Sequence, residues 1–384
     1  MMSGKSEAFV LQNARLVLPE AVVTGWIAVC DGAIAEIGEG RPPEQGRDLA
    51  GDYLLPGLVE LHTDHLESHV LPRPKVRWET LSAIVAYDVQ MVGAGITTVF
   101  DSLRVGTDAD SKSLGGLVLE LVAGLDRARE EGLLRADHLT HLRCEIAAHD
   151  VLDDTQALMA NHAIHLMSLM DHTPGARQFR DVETWKIYYG GKSGRSETEL
   201  ERLIAERRRL FSENHDRHRA RLVSLAHERG IVLASHDDTT VEHVAQSRAE
   251  GIAIAEFPTT LDAAAASHAA GIQVMMGAPN VVRGGSHSGN VAAETLAREG
   301  VLDILSSDYV PASLLMGAFE LTRRIETLSL PEAVRKITLN PARATGLADR
   351  GAIEPGLRAD LVRVHMAGGI PIVRESMREG RRVS

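Results

Sequence analysis

The chain contains few cysteines, few aromatic residues and no long apolar run. With only Cys30 and Cys144 in 384 residues, a disulfide-stapled secreted scaffold is excluded. Aromatic residues make up 4% of the chain, and no stretch of about 18 residues lacks charged or strongly polar groups, so no membrane-spanning segment is expected. Basic residues are also in the minority. The 41 Lys and Arg against 53 Asp and Glu give a net charge of −12, which disfavours nucleic acid as a partner.

The composition otherwise resembles that of a folded globular protein. Apolar residues make up 44% of the chain and charged residues 24%, which argues against disorder. The first residues carry no apolar segment typical of a secretory signal, so we expect a cytoplasmic protein. Histidine is the plentiful residue, with 17 copies whose role the composition alone does not explain.

Both ends of the chain have the pattern of short β-strands. Asp31-Gly32 separates two short apolar runs and is a two-residue hairpin signal, and Glu379-Gly380 is typical of a second turn. Neither end has enough residues for a core of its own. We therefore predict one small β-sandwich-like domain composed of residues 1–53 and 351–384.

Residues 54–350 alternate between short apolar runs and segments with helical spacing. Continuous apolar runs are typical of strands buried on both faces, as in a parallel sheet. Eight such strand–helix units favour a (β/α)8 barrel, and a doubly wound open sheet is the alternative. The eight runs are 54–61, 97–100, 139–144, 164–170, 231–234, 252–256, 273–276 and 302–305.

A histidine or carboxylate recurs where five of these runs end. Active sites of such barrels lie at the carboxyl ends of the strands, so we expect these side chains to meet. Imidazole and carboxylate are natural ligands of divalent metals, and a carboxylate such as Glu145 can bridge two ions. The pattern predicts one or two metal ions, with zinc favoured and manganese or iron as alternatives. The candidate ligands are His62, Asp64, Glu145, His172, His236 and Asp308.

Each of these residues also has a purely structural interpretation. A single histidine at a strand end is commonly a hydrogen-bonded loop residue, and Asp308 could be the N-cap of a helix predicted from Ala312. The agreement of five strand ends favours the metal site over this reading. Five other histidines are interpreted as surface residues: His138, His141, His215, His218 and His227.

Three predicted loops on the catalytic side carry cationic residues. Arginine can donate two parallel hydrogen bonds to a phosphate, and glycine lets backbone N–H groups approach an anion. One basic loop is more often an ordinary turn, but three together predict a phosphorylated ligand. The candidate substrate-binding residues are Arg73, Lys75, Lys192, Arg283, Ser286 and His287.

Several motifs are similar to those of the amidohydrolase superfamily. Residues 55–64 resemble its first barrel strand, 338–342 a later part of the barrel, and 351–362 its return to a small β-domain. Further stretches, including 276–290, resemble a phosphonate-pathway branch of that superfamily. The chain departs from the superfamily's pattern at two places. It has Asp64 where the second histidine of a His-x-His motif is common. It also has no strand-end lysine to bridge two metal ions, and Glu145 is the substitute for that bridge.

The resemblance implies a metal-dependent hydrolase, a diphosphatase that cleaves a ribosyl triphosphate carrying a 1-phosphonate and releases pyrophosphate. A metal-activated water would attack the α-phosphorus, Asp308 would accept the proton as the catalytic residue, and the cationic loops would neutralise the leaving group. The partner would be a small phosphorylated sugar phosphonate, and a homo-oligomer stays open. The alternatives are an amidohydrolase that cleaves a C–N bond, as a deaminase or cyclic amidase, and a non-catalytic scaffold.

Overall fold

The computed structural model describes residues 8–73, 75–107, 116–175, 177, 182–183, 185–186, 195–286 and 289–384. Two eight-stranded sheets organise this part of the chain. Their strands are β1 (Phe9–Val17), β2 (Val22–Cys30), β3 (Ala33–Glu39), β4 (Arg47–Asp48), β5 (Tyr53–Pro56), β6 (Leu58–Thr63), β7 (Ile96–Val105), β8 (Asp137–Glu145), β9 (Leu166–Met170), β10 (Val232–His236), β11 (Ile254–Glu256), β12 (Gln273–Gly277), β13 (Ile304–Ser306), β14 (Leu361–Ala367), β15 (Ile370–Arg378) and β16 (Arg381–Arg382).

Strands β6 to β13 form a parallel barrel in chain order, which confirms the predicted (β/α)8 architecture. A bridge between Thr63 and Asp308 brings the last strand segment next to the first. The lower part of the barrel interior is apolar and is filled by side chains such as Phe100, Leu166 and Ile254. Because side chains two apart share a face, the residues that follow these toward the strand ends line the mouth of the barrel.

Helices cover the outside of the barrel and pack through a large apolar core. Helix α5 begins with a capping box between Ser196 and Glu199 and ends at Gly230 in a left-handed conformation. The helices are α1 (His65–Val70), α2 (Thr80–Gly93), α3 (Leu117–Glu130), α4 (Val151–Asn161), α5 (Glu197–Arg229), α6 (Val241–Ala249), α7 (Leu261–Ala269), α8 (Ala278–Arg283), α9 (Ala293–Arg298), α10 (Ser313–Arg324), α11 (Leu330–Arg335) and α12 (Leu339–Ala344). Within the described ranges, no helix combines the length and the apolar character needed to cross a membrane.

The second sheet combines strands from both ends of the chain, as predicted. Its strand order is β16-β15-β14-β5-β1-β2-β3, with β4 beside β1. The predicted hairpin turn at Asp31-Gly32 joins β2 to β3, with φ of 50° and 80°, as the two-residue turn of this type requires. The sheet has a core of its own, which includes Leu16, Ile27 and Leu361.

The first predicted apolar run is divided between the two sheets. Strand β5 pairs with β1 and β14 of the terminal sheet, whereas β6 begins the barrel. Gly57 lies between them, and a Cβ atom at this position would lie 2.1 Å from Thr97 Oγ1. A larger residue would therefore clash with the Thr97 side chain. The terminal sheet extends to Pro56, beyond the expected boundary at residue 53.

Three histidines that the sequence analysis interpreted as surface residues are buried, so that interpretation was wrong for them. His138 and His141 lie on β8 and His218 lies on α5, and none exposes more than 2% of its surface. His227, in contrast, is exposed as predicted.

Candidate metal centre

The polar mouth of the barrel is built by residues at or just beyond the strand ends. Asp237, Phe257 and Asp308 there have φ of 55°, 54° and 55°, a left-handed conformation that side chains other than glycine seldom adopt. Each such residue costs about 1–3 kcal/mol, and such strain concentrates at functional sites. Phe257 packs its ring against His62 and His236, with centroids 4.9 and 5.4 Å away.

Glu256, at the end of β11, joins two of the predicted histidine ligands. Its Oε1 lies 3.1 Å from His62 Nδ1, and its Oε2 lies 2.9 Å from His236 Nδ1. His141 lies beside the same carboxylate, with Nε2 3.7 Å from Oε1. His62, His141 and Glu256 thus bring three ligand atoms within 4.8 Å of one another.

A second group of ligands lies across the mouth of the barrel. His172, His236 and Asp237 also offer three ligand atoms within 4.8 Å. Glu145 is adjacent, because its carboxylate accepts hydrogen bonds from the backbone N–H of His172 at 3.1 Å and from His172 Nδ1 at 2.6 Å. Four of the predicted ligands, His62, Glu145, His172 and His236, are therefore connected through short contacts.

The two remaining predicted ligands occupy different environments. Asp308 is partly buried, and its backbone N–H donates to the carbonyl of His62 at 3.1 Å. It does not cap a helix, since the following helix α10 begins only at Ser313. Asp64 is more exposed, with 41% of its side chain accessible, and its Oδ2 accepts a 3.4 Å hydrogen bond from Arg143.

The ionisable groups in this region have strongly shifted pKa values. Burial would raise the pKa of Glu145 and of Glu256, but the histidines beside them outweigh burial and lower both pKa values. Burial lowers the pKa of His141 to about 3, so its imidazole is neutral. Burial also raises the pKa of Asp308 above the usual value. The site therefore contains ionised Glu145 and Glu256 and the neutral imidazole of His141, which are donors that divalent cations accept.

Unsatisfied buried atoms provide a direct test of whether these residues fit a metal ion. Among the described residues, His62 Nδ1, Glu256 Oε1 and Asp237 Oδ2 are buried and make no hydrogen bond of acceptable geometry. The close approach of His62 to Glu256 is thus a contact without a well-aligned proton. Buried polar atoms normally find partners, so the orphaned atoms of His62 and Glu256 fit a cation in the first ligand group, and that of Asp237 fits one in the second.

Two of the three predicted cationic loops lie within the described residues, and both follow the carboxyl ends of barrel strands. Arg73 and Lys75 lie between α1 and α2, and Arg283 ends α8 after β12. All three are exposed, and none forms an ion pair within the described part of the chain. Ser286 lies half-buried just beyond Arg283. Lys192 and His287 fall outside the described residues.

Sequence reasoning missed several residues that line this site. Glu256 was detectable, because it ends the predicted run 252–256 at the same level as the other ligands. Arg143 and Arg104 lie on neighbouring strands at the mouth, and Arg104 Nη2 contacts Glu145 at 3.3 Å. Nothing in the spacing distinguished these arginines from solvent-exposed strand residues.

The barrel, the terminal sheet and the ligand clusters at the strand ends agree with a family comparison. Residues 89–365 match the family described as Amidohydrolase family. The chain therefore belongs to the amidohydrolase family and is a hydrolytic enzyme.

The relatives refine this class. The chain is 44% identical over 377 residues to alpha-D-ribose 1-methylphosphonate 5-triphosphate diphosphatase of Escherichia coli, covering 97% of this chain and 100% of that protein. It is 26% identical to imidazolonepropionase of a Ruegeria species, covering 92% and 91% of the two chains. Among solved structures, N-acetyl-D-glucosamine-6-phosphate deacetylase of Mycobacterium smegmatis superposes with a TM-score of 0.64 at 18% identity, covering 98% and 99%.

Proposed function

We propose that this protein hydrolyses α-D-ribose 1-methylphosphonate 5-triphosphate, or a close phosphonate analogue, to the 5-phosphate and pyrophosphate in phosphonate catabolism. The observation that carries this proposal is the full-length 44% identity to the diphosphatase of that name. The connected ligands at the barrel mouth and the exposed cationic loops support it, because a triphosphate needs both kinds of group.

His62, Glu145, His172, His236, Glu256 and Asp308 would hold one or two divalent ions, with zinc favoured over manganese or iron. When bound, a divalent cation lowers the pKa of a coordinated water to about 7 and neutralises phosphoryl charge. Asp64 would contribute through Arg143 or as a further ligand. The orphaned atoms of His62 and Glu256 support this ligand set.

In the proposed reaction, the oxygen of a water forms a bond to the α-phosphorus. The bond from that phosphorus to the oxygen bridging to the β-phosphate breaks, and pyrophosphate leaves with the electron pair. Asp308 accepts the proton of the attacking water, a role that suits a carboxylate at the end of the last barrel strand. Arg73, Lys75, Lys192 and Arg283 would neutralise the leaving group, while Ser286 and His287 would orient the phosphates.

Metal removal tests the proposal. Purified protein treated with a chelator should release no pyrophosphate from the triphosphate, and adding zinc, manganese or iron should restore release. Fully reloaded protein that still releases no pyrophosphate would contradict the proposal. Ammonia or amine release from a neutral amide or a nucleobase would instead favour the C–N hydrolase.

The cationic loops allow a second test. Arg283→Ala should raise KM for the triphosphate about tenfold, because a hydrogen bond to a charged group contributes about 1.5 kcal/mol or more. Arg323→Ala is the matched control, since Arg323 is exposed on α10 and pairs with Glu320. Equal KM values for both variants would show that Arg283 does not bind the substrate. A cytoplasmic location stays a prediction, and a homo-oligomer stays open.

A further inference from the structure

Arg143 occupies a central position at the mouth of the barrel. It lies on β8 two residues before Glu145, so both side chains face the barrel interior. Only 13% of its side chain is exposed. The same face of β8 carries His141 and Glu145, which contact Glu256 and His172 of the two ligand groups.

The hydrogen-bond donors of Arg143 are poorly satisfied. A guanidinium has five N–H donors, and within the described part of the chain Arg143 makes one hydrogen bond, to Asp64 at the long distance of 3.4 Å. Its Nε is buried and has no acceptor among the described residues. Arg177, a nearby buried arginine, differs, because it donates to Asp238 at 2.5 Å and to the carbonyl of His236 at 3.1 Å.

An anion with several oxygens would complete this environment. Leaving buried, charged donors unpaired is costly, and a protein retains such a group where a ligand supplies the acceptors. The fork of a guanidinium matches two oxygens of one phosphoryl group. The position of Arg143 between His141 and Glu145 on one face of β8 suits the phosphoryl groups of a bound triphosphate.

We propose that Arg143 binds the triphosphate of the substrate through paired N–H donors and thereby selects phosphorylated over neutral substrates. This inference rests on the proposed function, and it assigns a substrate-contacting role to a residue inside the barrel rather than on the cationic loops. Arg143 is then more than a counter-ion for Asp64.

Two variants test the role, each in the metal-loaded enzyme. Arg143→Gln removes the charge and the fork, and Arg143→Lys keeps the charge alone. We expect kcat/KM for pyrophosphate release to fall about 100-fold in Arg143→Gln and less in Arg143→Lys, by analogy with the loss of one anion-binding donor. Calorimetry with inorganic tripolyphosphate should show binding weakened at least about tenfold by Arg143→Gln. Arg127→Gln is the control, because Arg127 on α3 is exposed and pairs with Glu131.

The other measurements separate this inference from a structural role and from the proposed function. Metal content by mass spectrometry and the melting temperature should match the wild type in both variants. Variants that bind tripolyphosphate and release pyrophosphate as the wild type does would overturn the inference and leave the proposed function intact. Loss of metal or of stability with unchanged tripolyphosphate binding would also overturn it. A wild-type enzyme that releases no pyrophosphate would instead contradict the proposed function. The tripolyphosphate-binding measurement would still decide the role of Arg143.

Discussion

At the scale of single residues, two buried glutamates of the barrel have pKa values shifted in opposite directions. Glu60 accepts hydrogen bonds from the backbone N–H groups of His62 and Ser307, and burial nevertheless raises its pKa to about 8. Glu256 is equally buried, but its neighbours His62 and His236 lower its pKa. Glu60 is therefore suited to position the strand that carries His62, whereas Glu256 is suited to attract a cation.

Removing the charge of Glu256 should lower the amount of metal that the enzyme binds. We expect Glu256→Gln to lower the metal content of the purified enzyme, because the variant loses an anionic oxygen between two imidazoles. Mass spectrometry and a metal titration measure this directly. Glu242→Gln, at an exposed position on α6, should retain the wild-type metal content. Equal metal content in both variants would exclude Glu256 as a ligand.

His138 gives the fold a pH dependence that is separate from the active site. Burial alone would lower its pKa, but Asp101 and Asp88 outweigh burial and raise it from 6.5 to about 9. Because the folded-state pKa is the higher one, this stabilisation is complete below about pH 6.5 and is lost as the pH rises through about 9. Urea unfolding across that window should show a falling free energy in the wild type. A His138→Asn variant should lose this slope, and His227→Asn should keep it.

At the scale of elements, helix α5 supports the loop that carries His172. Arg207 lies within the charged run 199–209, whose composition is typical of a solvated helix face, but Arg207 is buried. Its Nη1 donates to the carbonyl of His172 at 3.2 Å, and its guanidinium lies 5.5 Å from the ring centroid of Trp185. Arg209, two residues on, faces solvent and pairs with Glu213.

This difference supplies a matched pair of variants on one helix. Arg207→Gln should reduce metal affinity or activity about 10- to 100-fold, because it releases a backbone group that orients a ligand. Arg209→Gln should leave both unchanged, since it breaks only an exposed i,i+4 pair. Steady-state kinetics and a metal titration on both variants check this. An unaffected Arg207→Gln enzyme would mean that the His172 loop holds its position without α5.

At the scale of the whole molecule, one carboxylate connects the barrel to the terminal sheet. Asp137, at the start of β8, accepts contacts from Arg350 at 2.6 Å, Arg358 at 2.7 Å and Arg378 at 3.2 Å. Burial alone would raise its pKa, but the three arginines outweigh burial and lower it. Because Arg378 lies on β15, this cluster links the chain's last segment to the amino-terminal end of the barrel.

Neutralising this carboxylate should weaken the whole fold. We expect Asp137→Asn to lower the free energy of unfolding by about 3 kcal/mol, since three partly buried arginines would lose their shared anion. Chemical denaturation measures the change. Glu131→Gln removes an exposed pair with Arg127 and should cost well under about 1 kcal/mol. Similar losses in the two variants would show that the Asp137 cluster contributes no more than a surface pair.

The sequence by itself determined the barrel, the shared terminal sheet and most of the metal-ligand candidates. Strand–helix alternation, the Asp31-Gly32 turn and the polar residues after apolar runs are local signals, because they follow from the two-residue period of strands and from turn geometry. Glu256 carries the same local signal, because it ends the apolar run 252–256, although the predicted ligand set did not include it. These features needed no knowledge of which strands become neighbours.

Only the tertiary structure decided what each polar side chain contacts. His141 and Arg143 share one face of β8 and alternate with Leu142 and Cys144, a pattern that a strand with one solvent-exposed face would also show. Closing the barrel turns that polar face inward, where burial shifts pKa values and brings Glu256 between His62 and His236. The physical reason is that the barrel mouth is both polar and enclosed, so the hydrophobic pattern cannot distinguish its interior from the surface.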